Sequence, residues 1–191
     1  MSESTSKPPI KMGNIVTVFG SSRPKPDSPE YKEAELLGAR LSAAGLSVCT
    51  GGYHGIMEAV SKGASGSNVN IIGVTSAVFS PSPNEYVNMQ VHSLTLYDRL
   101  QKLIEFGNAY IVLKGGTGTL VEFSMVWESL SKGIISERPL IAVSDCWRPV
   151  VDALSAELVS EGLESSMKQV RLAPDAAEAA EIVIAALAKR N

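Results

Sequence analysis

The chain has 191 residues, 45% of them hydrophobic and 19% charged, with a net charge of −3 at pH 7. This is enough apolar material for a buried core, and the slight acidity, without any Lys/Arg cluster, argues against a nucleic-acid partner. Two histidines, and two cysteines (Cys49 and Cys146) far apart and outside any CxxC spacing, exclude a multi-histidine metal site and leave free buried thiols as the expectation. No stretch is long and apolar enough to span a membrane. Residues 1–12 are Ser-, Lys- and Pro-rich without an apolar h-region, so a flexible arm is expected ahead of a domain over 13–191, in a cytoplasmic protein.

In chain order, Ile15 to Phe19 is a short β-branched run that stops at Gly20-Ser21-Ser22-Arg23, which predicts a buried strand and a small-residue turn where ligands sit in open α/β sheets. Ser28 followed by Pro29 is a helix start, the helix carries Leu36, Leu37, Leu41 and Ala44, and Gly45 fits its stop. Leu46 to Cys49 reads as a second strand ending in Thr50-Gly51-Gly52-Tyr53-His54-Gly55, after which Ile56, Met57, Ala59, Val60 and Ala64 have helical spacing. Asn70 to Thr75 is a third strand. Ser76 to Asn88, with Pro81 and Pro83, is a loop that either covers a site or is a surface excursion. A short strand over Val87 to His92 comes next.

Leu94 to Phe106 is a helix whose buried stripe is expected to be Leu96, Leu100 and Leu103. Arg99 projects into the same arc. Read from periodicity alone it snorkels to the edge, the alternative being that it reaches an anion at the sheet's end. Ala109 to Leu113 predicts a central strand, followed by Lys114-Gly115-Gly116-Thr117-Gly118-Thr119 and a helix from about Thr119 to Lys132. Strand, glycine turn and helix start together make an anion site, because glycine permits close backbone approach and the first helical N–H groups point outward. The turn lacks the Gly-Lys-Ser/Thr of a P-loop and the third glycine of a dinucleotide fingerprint, and phosphate is the expected ligand. Pro139 to Val143 is a further strand, Val150 to Glu161 a helix and Val170 to Leu172 an edge strand, and an Ala-rich helix opens at Pro174. Strands alternating with helices predict an α/β, Rossmann-like doubly wound parallel sheet.

Two motifs carry a family resemblance. Gly51-Gly52-Tyr53-His54-Gly55-Ile56-Met57-Glu58-Ala59 looks like a GGGxGxMEA turn, and Lys114 to Glu122 looks like a PGGxGTxxE signature. With Gly20-Ser21-Ser22 and Arg99 in matching order, the sequence resembles the LOG family and its molybdenum-cofactor-carrier-like cousins over roughly Ile15 to Val143. The resemblance implies hydrolysis of a nucleoside 5′-monophosphate to free base and ribose 5-phosphate, without metal or organic cofactor. It puts the essential arginine and glutamate on Arg99 and Glu122. It also implies a 5′-phosphate cradle at Gly115, Gly116, Thr117, Gly118 and Thr119. The nucleoside would be lined by Gly20, Ser21 and Ser22 and by Gly51, Gly52, Gly55, Met57 and Glu58.

Competing readings stand beside these. Thr119-x-x-Glu122 also has the form of a capping box, Glu58 suits a first helical turn, and His54 reads as a surface turn residue. Lys114 replaces the signature proline, Leu100 the lysine of an Arg-Lys pair, Val121 the first glutamate of a Glu-Glu pair and Tyr53 a turn glycine, where it narrows the pocket or stacks on a base. A non-enzymatic nucleotide or molybdopterin carrier is therefore the rival function. The family's old label, lysine decarboxylase, needs a pyridoxal phosphate Schiff-base lysine, for which Lys114 is the turn's sole candidate. Family members are usually homodimers or larger, and the helices from Leu94 and Thr119 have apolar side chains to spare, so a homodimer is expected.

Overall fold

The computed structural model describes residues 13–79 and 82–190, apart from the side chains of residues 144 and 145; the arm expected over 1–12 lies outside the described residues. Seven strands, β1 (Ile15–Phe19), β2 (Ser47–Thr50), β3 (Ile71–Ser76), β4 (Met89–Ser93), β5 (Ala109–Val112), β6 (Leu140–Val143) and β7 (Arg171–Ala173), form one sheet. All neighbours are parallel, in the order β4-β3-β2-β1-β5-β6-β7. Between them run α1 (Pro29–Ala43), α2 (Ile56–Ala64), α3 (Leu96–Phe106), α4 (Thr117–Ser131) and α5 (Ser144–Ser160), with α6 (Ala176–Ala188) last.

The apolar runs explain the two layers. Every residue of β1, β2, β3 and β5 is buried, as parallel strands covered on both faces require. Val16, Val18, Val48 and Ile111 face one core with Leu37, Leu41, Val60 and Val183 of α1, α2 and α6. Ile15, Phe19, Ile72 and Val112 face the other, with Leu103, Phe123, Trp127 and Trp147 of α3, α4 and α5. This is the doubly wound α/β fold expected from the alternation. The edge strand β4 alternates instead, with Gln90 and His92 more exposed than Met89 and Val91.

From β1 the chain steps outward to β4, then returns through α3 to β5 on the other side of β1. The loops leaving β1 and β5 therefore diverge, opening a crevice at the strands' carboxyl ends.

Several boundaries and faces differ from the sequence expectations. Helix α4 begins at Thr117 with Gly116 as N-cap, two residues early, so Thr119 and Glu122 lie inside the helix and form no capping box. Helix α5 starts at Ser144, six residues before the expected Val150, and carries Pro149 in its second turn, where the missing N–H leaves one intrahelical bond unmade. Helix α6 waits for Asp175, whose carboxylate accepts from the Glu178 N–H at 2.8 Å. A 3₁₀ turn over Glu164–Gln169, which periodicity did not flag, offers the Ser166 carbonyl to Trp127 Nε1 at 2.8 Å. Leu36 and Leu96 are half exposed rather than packed, whereas Leu103 and Ile104 anchor α3.

Candidate functional site

Three glycine turns are tied together at the crevice. The Ser21 N–H donates to the Lys114 carbonyl at 2.9 Å, and the Ser21 carbonyl accepts from the Ile56 N–H at 2.9 Å, so the turn after β1 bonds to both others. The packing leaves no room for side chains. A Cβ on Gly20 would lie 2.5 Å from Ile56, and one on Gly55, which has φ +67°, would lie 2.5 Å from the Ser21 carbonyl. Gly52 also has positive φ, at +78°, and stands against the backbone of Gly73.

The third turn opens α4 without any side-chain cap. The first intrahelical bond runs from the Leu120 N–H to the Gly116 carbonyl, so the N–H groups of Thr117, Gly118 and Thr119 have no acceptor within the helix. A Cβ on Gly115 would strike the Thr119 hydroxyl at 2.1 Å, while Gly116 and Gly118 face open space. The result is an uncapped helix start beside an open cleft, able to hold an anion.

Arg99 and Glu122 meet at the cleft floor. Arg99 does not snorkel: its side chain is 12% exposed, Nε donates to the Val74 carbonyl at 2.8 Å, and Nη1 lies 3.5 Å from Glu122 Oε1. Room for the guanidinium comes from Gly51, where a Cβ would fall 1.7 Å from Nη2. Glu122 is 17% exposed. Burial pushes its carboxyl up to about 7, against the opposite pull of Arg99. A carboxyl balanced between charge states near neutrality, next to a fixed cation, is equipped to take up or give a proton.

The cleft around this pair encloses about 540 Å³. Of the residues singled out from sequence, Gly20, Ser21, Ser22, Met57, Arg99, Gly116, Thr117, Gly118, Thr119 and Glu122 line it. Gly51, Gly52, Gly55 and Gly115 stand behind the lining and shape it. Glu58 also stands outside the lining: it accepts from the Tyr31 hydroxyl at 2.9 Å and pairs with His54 Nδ1 at 2.9 Å, and it is His54 that reaches the cleft. Lys114 is turned to the surface, 2.7 Å from Glu30 of α1, and no lysine lines the cleft among the described residues.

Sequence reasoning named Arg23 in the turn after β1 without assigning it to the site, and missed Phe79, Ser82 and Asn84 as lining residues. The signal for these three was the Pro81/Pro83 loop, whose role was left open. Asn84 is buried and fastens that loop to the second glycine turn, its Nδ2 donating to the carbonyls of Gly52 at 3.1 Å and Tyr53 at 2.9 Å. Among the described residues no three His, Cys, Asp or Glu side chains converge as metal ligands. Cys49 is buried, and its thiol is pushed up to about 12 by burial, which makes it unreactive at neutral pH.

An all-parallel, doubly wound sheet with a cleft of glycine turns at its switch point defines a Rossmann-like α/β protein with a small-molecule site. The chain belongs to the SLOG cluster4 family, whose model matches residues 13–171. The family resemblance read from the two glycine motifs is thus upheld. It is 32% identical over 154 residues to a cytokinin riboside 5′-monophosphate phosphoribohydrolase from Mycobacterium marinum, covering 77% of this chain and 81% of that one. It is 31% identical over 102 residues to a pyrimidine/purine nucleotide 5′-monophosphate nucleosidase of Escherichia coli K12, covering 49% of this chain but only 22% of that protein. Among solved structures, the molybdenum cofactor binding protein of Rippkaea orientalis shares the fold, with a TM-score of 0.70 at 23% identity, over 91% of this chain and 97% of that one.

Proposed function

We propose that the protein hydrolyses the N-glycosidic bond of a nucleoside 5′-monophosphate, of the AMP or cytokinin-ribotide kind, to free base and ribose 5-phosphate. The observation that carries this reading is the Arg99–Glu122 pair, 3.5 Å apart and largely buried, beside the uncapped start of α4. Names of relatives from Mycobacterium marinum and Escherichia coli support the same chemistry. The N–H groups of Thr117 to Thr119 hold the 5′-phosphate. Ionised Glu122 takes a proton from water as the water oxygen bonds to C1′, and it offsets the positive charge that develops on the ribose. The C1′–N bond breaks, its electron pair leaves with the base, and the base takes up a proton. Arg99 holds Glu122 in place and favours its ionised form.

The test is chromatographic detection of free base from purified protein given AMP, the other 5′-monophosphates and a cytokinin ribotide, with Glu122→Gln alongside. Release that disappears in the variant is the expected result. The second reading, a non-enzymatic nucleotide or molybdopterin carrier, draws on the cofactor-binding fold neighbour and on the altered residues Lys114, Tyr53 and Leu100. A pterin chromophore co-purifying with protein that releases no base from any nucleotide would select it.

A further inference from the structure

The cleft has a wall that the hydrolytic chemistry does not use. Tyr53, in the second glycine turn, is locked by its hydroxyl: it accepts from the Ser76 N–H at 2.7 Å and donates to the Ser76 carbonyl at 3.0 Å. Phe79, just beyond β3, meets it edge-to-face, with ring centroids 5.8 Å apart and planes at 81°. The Arg99 guanidinium carbon lies 5.7 Å from the Tyr53 centroid and 5.9 Å from that of Phe79. Both rings line the cleft, and Phe79 remains 60% exposed there. The Tyr53 side of the wall is held in place, because Tyr53 is tied to Ser76 through its hydroxyl and to Asn84 through its carbonyl.

An aromatic corner with an exposed ring, next to a cation and in one cleft with an uncapped helix start, suits a ligand that is planar at one end and anionic at the other. Stacking uses the π-face that every nucleobase has, and its strength grows with ring area rather than with any hydrogen-bond code. We infer that Tyr53 and Phe79 form the base-recognition wall of the site, selecting nucleotides by stacking, with purines favoured over pyrimidines. This inference rests on the nucleotide reading above.

Equilibrium titration of the full chain carrying Glu122→Gln, so that AMP is not hydrolysed to ribose 5-phosphate during the measurement, separates the two ideas. AMP, CMP and ribose 5-phosphate are titrated into this protein as it stands and with Phe79→Ala or Tyr53→Phe added. Phe79 is a surface ring whose truncation leaves the core intact. Phe79→Ala should weaken AMP roughly tenfold, the scale of one lost base–aromatic stack, and CMP less. Ribose 5-phosphate should bind unchanged. Tyr53→Phe keeps the ring but loses its tie to Ser76, and should cost AMP affinity less than Phe79→Ala does. Equal weakening of AMP and ribose 5-phosphate by Phe79→Ala, or no weakening of AMP, would overturn the wall while leaving the nucleotide reading standing. Glu122→Gln protein with both rings intact that binds none of the three ligands would overturn both.

Discussion

Glu122 is the residue at which chemistry and stability meet. Its carboxyl sits at about 7 because burial outweighs Arg99. If it acts ionised, as a base, kcat/KM for base release should rise with pH through about 7 and level off above it, and a pH-rate profile reads this directly. Stability should run the other way. A carboxyl raised from 4.5 to about 7 stabilises the fold below about pH 4.5, and that contribution is lost as pH rises through 7. The difference is on the order of 3 kcal/mol, and chemical denaturation of Glu122→Gln across pH 4.5 to 8 should show that part of the slope gone. Gly51 gives a second test at this scale. A methyl there would lie 1.7 Å from Arg99 Nη2 and 2.6 Å from Met57 Sδ, both movable side-chain ends. Gly51→Ala should therefore cost only about 1–3 kcal/mol of stability. It should nonetheless lower base release about a hundredfold by displacing the guanidinium, a split that denaturation and turnover measured on one preparation would reveal.

At the scale of elements, the sequence located nearly every strand and helix but misjudged how two of them face the site. Periodicity put Leu96 in the buried stripe of α3, but the N-terminal half of that helix overhangs the crevice, where Arg99 points inward and Leu96 stays half exposed. The capping-box reading of Thr119 and Glu122 failed because α4 starts earlier. Gly116 caps it with no side chain, which frees Glu122 for the cleft. The connection after β3 is a pinned wall rather than a surface excursion, and Asn84 is its pin. Asn84→Ala would take the side-chain donor from the Tyr53 carbonyl and the Oδ1 acceptor from the Tyr86 N–H, while the Gly52 carbonyl keeps the Asn84 backbone N–H, and should destabilise the protein by about 1–3 kcal/mol. Hydrogen exchange should show the loosening first at Gly52 and Tyr53 and from Asn84 to Tyr86.

For the whole molecule, five of the twelve large apolar side chains exposed among the described residues fall on α3, on α4 or just before α3. Leu96 and Tyr97 of α3, Val121 and Met125 of α4, and Leu94 just before α3 are all about half exposed or more, and the Arg99–Glu122 contact joins these two helices. We propose this face as the contact between two copies of the chain. Light scattering at micromolar concentration should give twice the 20.2 kDa chain mass, and Tyr97→Glu with Met125→Glu should give the monomer. A monomer mass for the unaltered chain would refute it.

Strand–helix alternation, the doubly wound class and the positions of the three glycine turns were legible in the sequence alone. These follow from local apolar periodicity and from backbone freedom at a few residues, and a linear string records both. The sequence also singled out Glu122, through the second motif, and Arg99, through its place ahead of the signature strand. Only the tertiary structure decided that the two side chains meet, that Lys114 and Glu58 turn elsewhere, and that Phe79 and Asn84 belong to the site. The reason is physical. Where a side chain points at the end of a strand depends on neighbours brought from far along the chain, such as Gly51 making room for Arg99 and Glu30 drawing Lys114 to the surface.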